Sequence, residues 1–240
     1  MAEMRRRYFA AALCILAFLI AQTFQELAFL FWIPAANSVQ DDLATRLLTI
    51  DKIRALLVMG SIGLLIIAYV VIALRYRRVA PIASLLGLIF GAAFVGFEVV
   101  ARSIDFFVVG RHWAQQFHDA APGPVSDAVL QRFSLWNEMV QGWYFPQMLS
   151  HMLCSSAFAF ATLKETGSWA RLATTAFTLN ALRLLGRILS TFAGVTWLSG
   201  LNDKFYFPAV FVINSLLVGW LLHLAKTGME PPNAPGRIQR

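Results

Sequence analysis

The chain has 240 residues, of which 58% are hydrophobic and only 14% charged, and its formal net charge is +7. A soluble domain carries roughly a quarter charged residues, so this composition excludes an ordinary soluble core and indicates a polytopic membrane protein. The basic residues sit mostly at the ends of apolar segments, which assigns them to lipid head groups and topology rather than to nucleic acid.

A membrane-crossing helix needs about 20 mostly apolar residues. The start, "MAEMRRRYFAAALCILAFLIAQ", has the look of a signal peptide. Its apolar run continues through "ELAFLFWI", and no small-x-small cleavage site follows, so a retained first helix over 8–33 is expected. The second segment, 53–74, is the cleanest, and a third follows over 79–101. A long stretch over 111–142 then carries Pro124 and Ser126, which suit a helix start. Val129, Phe133, Trp136 and Val140 recur at helical spacing behind them. They predict an amphipathic helix lying on the outer surface or capping the bundle. The fourth, fifth and sixth segments fall at 143–163, 169–192 and 205–224, the fifth being the least apolar. Residues 1–228 thus read as one all-α domain, a bundle of six transmembrane helices, and 229–240 as a disordered cytoplasmic tail.

Orientation follows from Lys and Arg. "RRR" precedes the first segment, "RYRR" joins the second and third, Lys164 and Arg171 flank the turn after the fourth, and Lys226, Arg237 and Arg240 follow the sixth. With an even number of spans these places share one side, so both termini are expected to be cytoplasmic. Trp32, Trp113, Trp136, Trp143 and Trp197 are expected at the outer boundary, and Trp169 and Trp220 at the inner one. Three segments on each side of the long loop would have opposite topology, as in inverted-repeat transporters, but the halves share no matching motif.

The polar residues inside these segments carry the functional argument. Glu98, Arg102 and Asp105 stand at i, i+4 and i+7, along one helix face. Gln22, Gln25 and Glu26 share a face of the first segment, Gln147, His151 and Ser155 of the fourth, and Asn180, Arg183 and Arg187 of the fifth; the sixth adds Asn214 and Ser215. At about 1.5 Å rise per residue, all these stripes fall in the outer half of the bundle. An unpaired charge at the bilayer centre costs about 2.5–3.5 kcal/mol, so such groups should turn inward and pair. The expectation is a polar cavity open to the outside, with Glu26, Glu98, Arg102, His151, Asn180, Arg183, Arg187 and Asn214 as ligand-binding residues. Its arginines would hold a carboxylate or phosphate bidentately, and His151 would carry a proton or donate a hydrogen bond.

Plainer readings of the same residues stand beside this one. Arg102, Asp105 and Arg187 reach the interface by snorkelling, Glu26 and Glu98 form structural ion pairs with Arg183 and Arg187, His151 is a satisfied interhelical histidine, and Gln22, Gln25 and Asn180 glue helices together. Metals and cofactors are not expected. His112, His118, His151 and His223 make no HxxxH or HExxH. The two cysteines, Cys14 and Cys154, form no CxxC, and there is no Walker motif, no GxSxG and no lysine within a helix interior. Gly60 with Gly63, and Gly87 with Gly91, are expected to permit close helix packing.

The stretch "AYVVIALRYRRVAPIASLLGLIFGAAF" and the closing "LLVGWLLHLAKTG" resemble a widespread family of uncharacterised six-helix bacterial membrane proteins. The likeness is carried by hydropathy and loop spacing. The long external loop and the arginine pair of the fifth segment depart from that family's pattern. The resemblance implies a six-helix, multi-pass protein of the bacterial cytoplasmic (inner) membrane and no functional residue. Three functions remain open: recognition or transport of a small anionic or amphipathic molecule; an intramembrane enzyme acting on a lipid or isoprenoid; and a non-catalytic subunit or assembly factor of a membrane complex. The partners expected are membrane lipids and such a ligand, with a protein partner or a second copy under the third reading, and no nucleic acid.

Overall fold

The computed structural model describes residues 2–232, without the side chains of residues 202 and 203. Among them the chain is all-helical, with no strand. Helix α1 spans Ala2–Phe31, α2 Val39–Thr45, α3 Thr49–Tyr76 and α4 Pro81–Ser103. A π-helical segment, Ile104–Trp113, carries α4 on into α5, Ala114–Asp119. Helix α6 spans Pro124–Thr162, α7 Ser168–Phe192 and α8 Trp197–Thr227.

Local chemistry sets these ends. Pro81 and Pro124 open α4 and α6, where a missing N–H leaves nothing unpaired. Ser38 caps α2 by accepting a hydrogen bond from the Asp41 N–H at 3.1 Å. Helix α8 stops at Gly228, whose left-handed φ of 65° lets its N–H reach Leu224 O at 2.9 Å; a Cβ there would be strained and would also meet Arg5 Nε at 2.7 Å.

The six long helices form a closed ring in which α1, α3, α4, α6 and α7 each pack on the next, and α8 packs on both α7 and α1. Their directions alternate, so one end of the ring, here called basal, carries the start of α1 and the end of α8. The other end is apical. Helices α1 and α3, the continuous run Pro81–Asp119 and the Lys204–Thr227 part of α8 are long and apolar enough to cross a membrane. Large apolar side chains such as Ile20, Leu30, Ile82, Leu85 and Phe160 are exposed on the outside of the ring, a surface that suits lipid rather than water.

Two cores lie inside. The larger one fills the ring towards the basal end, around Ile72, Tyr76, Phe158, Trp220 and Leu221. Gly87 and Gly91 let α4 come close: a Cβ at Gly87 would lie 2.6 Å from the Phe158 ring, and one at Gly91 2.6 Å from the Tyr69 ring. Gly60 and Gly63 do not serve this purpose, because nothing lies within 4 Å of a Cβ built on either. Trp220 is fully buried and stacked on Tyr76 rather than standing at an interface.

The basal end is closed by Arg75, which is 2% exposed. Its Nε donates to Glu165 Oε2 at 3.1 Å and its Nη2 to Glu165 Oε1, while its Nη1 donates to the Tyr8 hydroxyl at 2.9 Å and to Met229 O at 3.3 Å. The Tyr76 hydroxyl donates to the same carboxylate at 2.6 Å. One guanidinium thereby ties α1, α3, the α6–α7 turn and the segment after α8.

The apical cap has its own small core of Leu43, Val109, Ala114, Val129 and Phe133, with Trp113 and Trp136 packed against it. The amphipathic helix expected over the outer loop and the fourth segment are one continuous helix, α6, 39 residues long. Pro146 sits inside it, and the polar first half keeps its apolar face on α2, the π segment and α5. Arg46 ties α2 to the π segment, with Nη1 donating to Asp105 Oδ2 at 2.8 Å and Nη2 3.5 Å from Asp42. Burial lowers the Arg46 pKa, but Asp105, Asp42 and Asp51 outweigh it and hold it above the ordinary arginine value. Residues 233–240, where most of the disordered tail was expected, lie outside the described residues.

Candidate functional site

A cavity of about 180 Å³ lies inside the ring, lined from all six long helices and set in the apical half of α4, α7 and α8. Its floor is apolar, with Ile62, Tyr69, Phe94, Phe177 and Leu217.

Above the floor, α6 presents His151 and Ser155 one turn apart, and α7 presents Asn180 opposite. Asn180 Nδ2 donates to Ser155 Oγ at 2.8 Å and lies 3.0 Å from His151 Nε2. The His151 ring stacks on Phe94, with centroids 3.9 Å apart. Asn180 Oδ1 accepts in turn from Arg183 Nη2 at 3.0 Å. Buried polar atoms here are therefore paired across helices, which locks α6 against α7.

Nearer the apical end, Glu98 is held on both oxygens. Arg102 Nε donates to Oε2 at 2.8 Å, and Gln147 Nε2 donates to Oε1 at 2.6 Å. Helix α8 contributes Tyr206, whose ring lies under two guanidinium groups, Arg183 at 5.3 Å and Arg187 at 5.2 Å from its centroid. Neither of these arginines has a carboxylate within ion-pair distance among the described residues. Among the described residues, the charged side chains of the lining are three arginines and one glutamate.

Of the residues singled out in the sequence, Glu98, Arg102, His151, Asn180, Arg183, Arg187 and Asn214 lie in this lining. Asn214 donates to Val210 O at 2.7 Å on its own helix. Glu26 does not line the cavity, and it makes no ion pair among the described residues. Its neighbour Gln25 instead accepts from Arg54 Nη1 at 3.0 Å, next to the buried Asp51–Arg54 pair. Asp105 also stands apart, engaged with Arg46. The π turn explains this, since the Asp105 position no longer follows the α-helical face of Glu98 and Arg102.

Sequence reasoning passed over Tyr144 and Tyr206, because an aromatic residue near a helix end reads as an interfacial anchor. Gln147 was visible only as a companion of His151 at i, i+4. The geometry offers cationic groups to an anion at the apical side and an apolar wall below. It provides no cluster of three or more His, Cys, Asp or Glu suited to a metal among the described residues.

Comparison of the chain with protein-family models, with curated proteins and with solved structures finds no match. The fold and the cavity define an all-helical protein with four helices able to cross a membrane around a buried, arginine-bearing hollow.

Proposed function

We propose that this chain is a six-span protein of the bacterial cytoplasmic membrane that recognises or carries a small anionic or amphipathic molecule at the central cavity. The observation that supports it is the arginine pair. Arg183 and Arg187 stand one turn apart over a single ring, with no acid among the described residues to neutralise them. Like charges at i, i+4 repel, and charges within a membrane are costly. A carboxylate or phosphate between the two guanidinium forks relieves both penalties through charge-assisted hydrogen bonds. The apolar floor then receives the hydrocarbon part.

Helices α6 and α7 count as spans in this reading because they complete the ring. Their lower apolarity comes partly from Gln147, His151, Ser155, Asn180, Arg183 and Arg187, which face the cavity rather than lipid. The basal clusters of Arg and Lys support a cytoplasmic side for that end and for both termini. The enzyme reading calls for a carboxylate acting on His151. Glu98 is instead engaged by Arg102 and Gln147, and His151 by Asn180 and Phe94.

The test uses purified protein in nanodiscs, titrated with 3-phenylpropionate and with its neutral amide and followed by thermal unfolding. The anion is expected to stabilise the wild type, and the amide is not. The Arg183→Gln/Arg187→Gln variant should bind the anion at least about tenfold more weakly, since hydrogen bonds to charged groups contribute about 1.5–3 kcal/mol each. Equal stabilisation by the amide, or unchanged affinity in the double variant, overturns the reading.

A further inference from the structure

A chain of hydrogen bonds sets the state of His151. Arg183 donates to Asn180 Oδ1 from Nε at 3.3 Å and from Nη2 at 3.0 Å. This fixes the amide, because turned over it would set its NH2 group against a guanidinium that can only donate. Asn180 Nδ2 therefore points the other way and donates to Ser155 Oγ at 2.8 Å and to His151 Nε2 at 3.0 Å. A ring nitrogen that accepts carries no proton, so the imidazole is neutral with its hydrogen on Nδ1. Turning the ring over would put a carbon where Asn180 donates, and the stack on Phe94 holds its plane.

The Nδ1–H has no acceptor among the described residues. It is open rather than buried, on a partly exposed ring of the cavity lining. Acceptors nearby are already engaged: the Glu98 oxygens by Arg102 and Gln147, and the Asn180 oxygen by Arg183. Between the apolar floor and the arginine pair, the cavity thus offers a neutral donor held in one orientation. In the empty cavity water can satisfy it. A ligand that displaces the water without supplying an acceptor leaves it unpaired, which is costly.

We infer that the ligand's anionic group is joined to its hydrocarbon through a carbonyl, as in a ketone, ester or amide. The anion lies at Arg183 and Arg187, and the carbonyl oxygen accepts from His151 Nδ1–H. This rests on the anion-site reading above. The carboxamide of Asn180 alone spans the gap between the Arg183 guanidinium and the imidazole, with one 3.0 Å contact at each end. At about 1.5 Å per bond, the carbonyl carbon then belongs about three or four bonds from the anionic centre. The class is an acyl-linked anion rather than a plain alkyl carboxylate.

The experiment measures the affinity of the wild type in nanodiscs for 4-oxo-4-phenylbutanoate and 4-phenylbutanoate, which differ by one ketone. Burial alone favours the second, the more apolar of the two. A site built to pair a polar group discriminates against the analogue lacking it, so the oxo acid should bind about tenfold more tightly. His151→Phe keeps a ring to stack on Phe94 and removes the donor, and there the oxo acid should bind no more tightly than the plain acid. The wild-type comparison decides even if the variant does not fold. Equal affinities or a preference for the plain acid in the wild type, or an undiminished preference for the oxo acid in His151→Phe, overturns this inference while leaving the anion site standing. Binding of neither acid to the wild type overturns both.

Discussion

Arg75 and Arg187 are the same side chain at opposite ends of one ring of helices, and the fold treats them differently. Arg75 is buried against a carboxylate, two tyrosines and two backbone carbonyls. Arg187 is partly exposed to the cavity and rests on one aromatic ring, beside Arg183, which shares that ring and adds only the Asn180 amide oxygen as a partner. A group with every partner supplied from within holds a structure together. A group left short of partners, in a hollow, is a candidate for a partner from outside.

That contrast can be broken or sharpened by substitution, and the basal end should give the largest effect. In Glu165→Gln the buried Arg75 guanidinium loses its carboxylate, and stability should fall by about 3–5 kcal/mol. The side chains of the pair are 1% and 10% exposed, so solvent does little to soften the loss. Arg75→Met combined with Glu165→Leu should recover much of it, because replacing both members removes the stranded charge. Urea or thermal unfolding in detergent measures both.

The waist between the two ends comes next. Gly91→Leu drives a side chain into the Tyr69 ring and Cys154 Sγ and should cost about 1–3 kcal/mol by overpacking. Gly60→Ala meets nothing and should raise stability by about 0.5–1 kcal/mol, which the same unfolding experiment reads. A smaller effect is expected in the apical cap. Asp105→Asn weakens a partly exposed pair, a loss of about 0.2–1 kcal/mol that shrinks as salt is added.

The smallest effect on stability should come from Arg187→Met, within about 0.5 kcal/mol of wild type, because it removes repulsion as well as a contact with Tyr206. Its consequence should appear instead as lost stabilisation by anions. If Arg187→Met unfolds the protein as readily as Glu165→Gln does, the two ends do not differ in kind and the comparison fails.

The sequence made the helical class and its apolar helices plain, because a run such as "LLVMGSIGLLIIAYVVIAL" has one physical destination. The grouping of Glu98 with Arg102, and of Asn180 with Arg183 and Arg187, was equally readable from helical spacing. What escaped lies in tertiary contacts. Arg75 and Glu165 are 90 residues apart, and Arg75 read only as part of the basic junction "RYRR", so nothing local announced their pairing. Trp220 sits about two turns from the end of α8 yet is buried, stacked on Tyr76 of α3. Asp105 left the stripe of Glu98 because a change of helical pitch has no signature in residue type. The break expected near position 142 came from the change from an amphipathic stretch to an apolar one, a change of surroundings that α6 crosses without a change of helix.

Because α6 runs unbroken over Pro124–Thr162, the apical cap and the cavity wall are parts of one lever. Pro146 sits inside it, where the ring nitrogen has no hydrogen to donate to the helix, and Tyr144 and Gln147 lie beside it in the cavity wall. The arm from there to the start of α6 is about 33 Å, so each degree of bend shifts its far tip by about 0.6 Å. A small bend beside the cavity is in this way magnified at the apical cap.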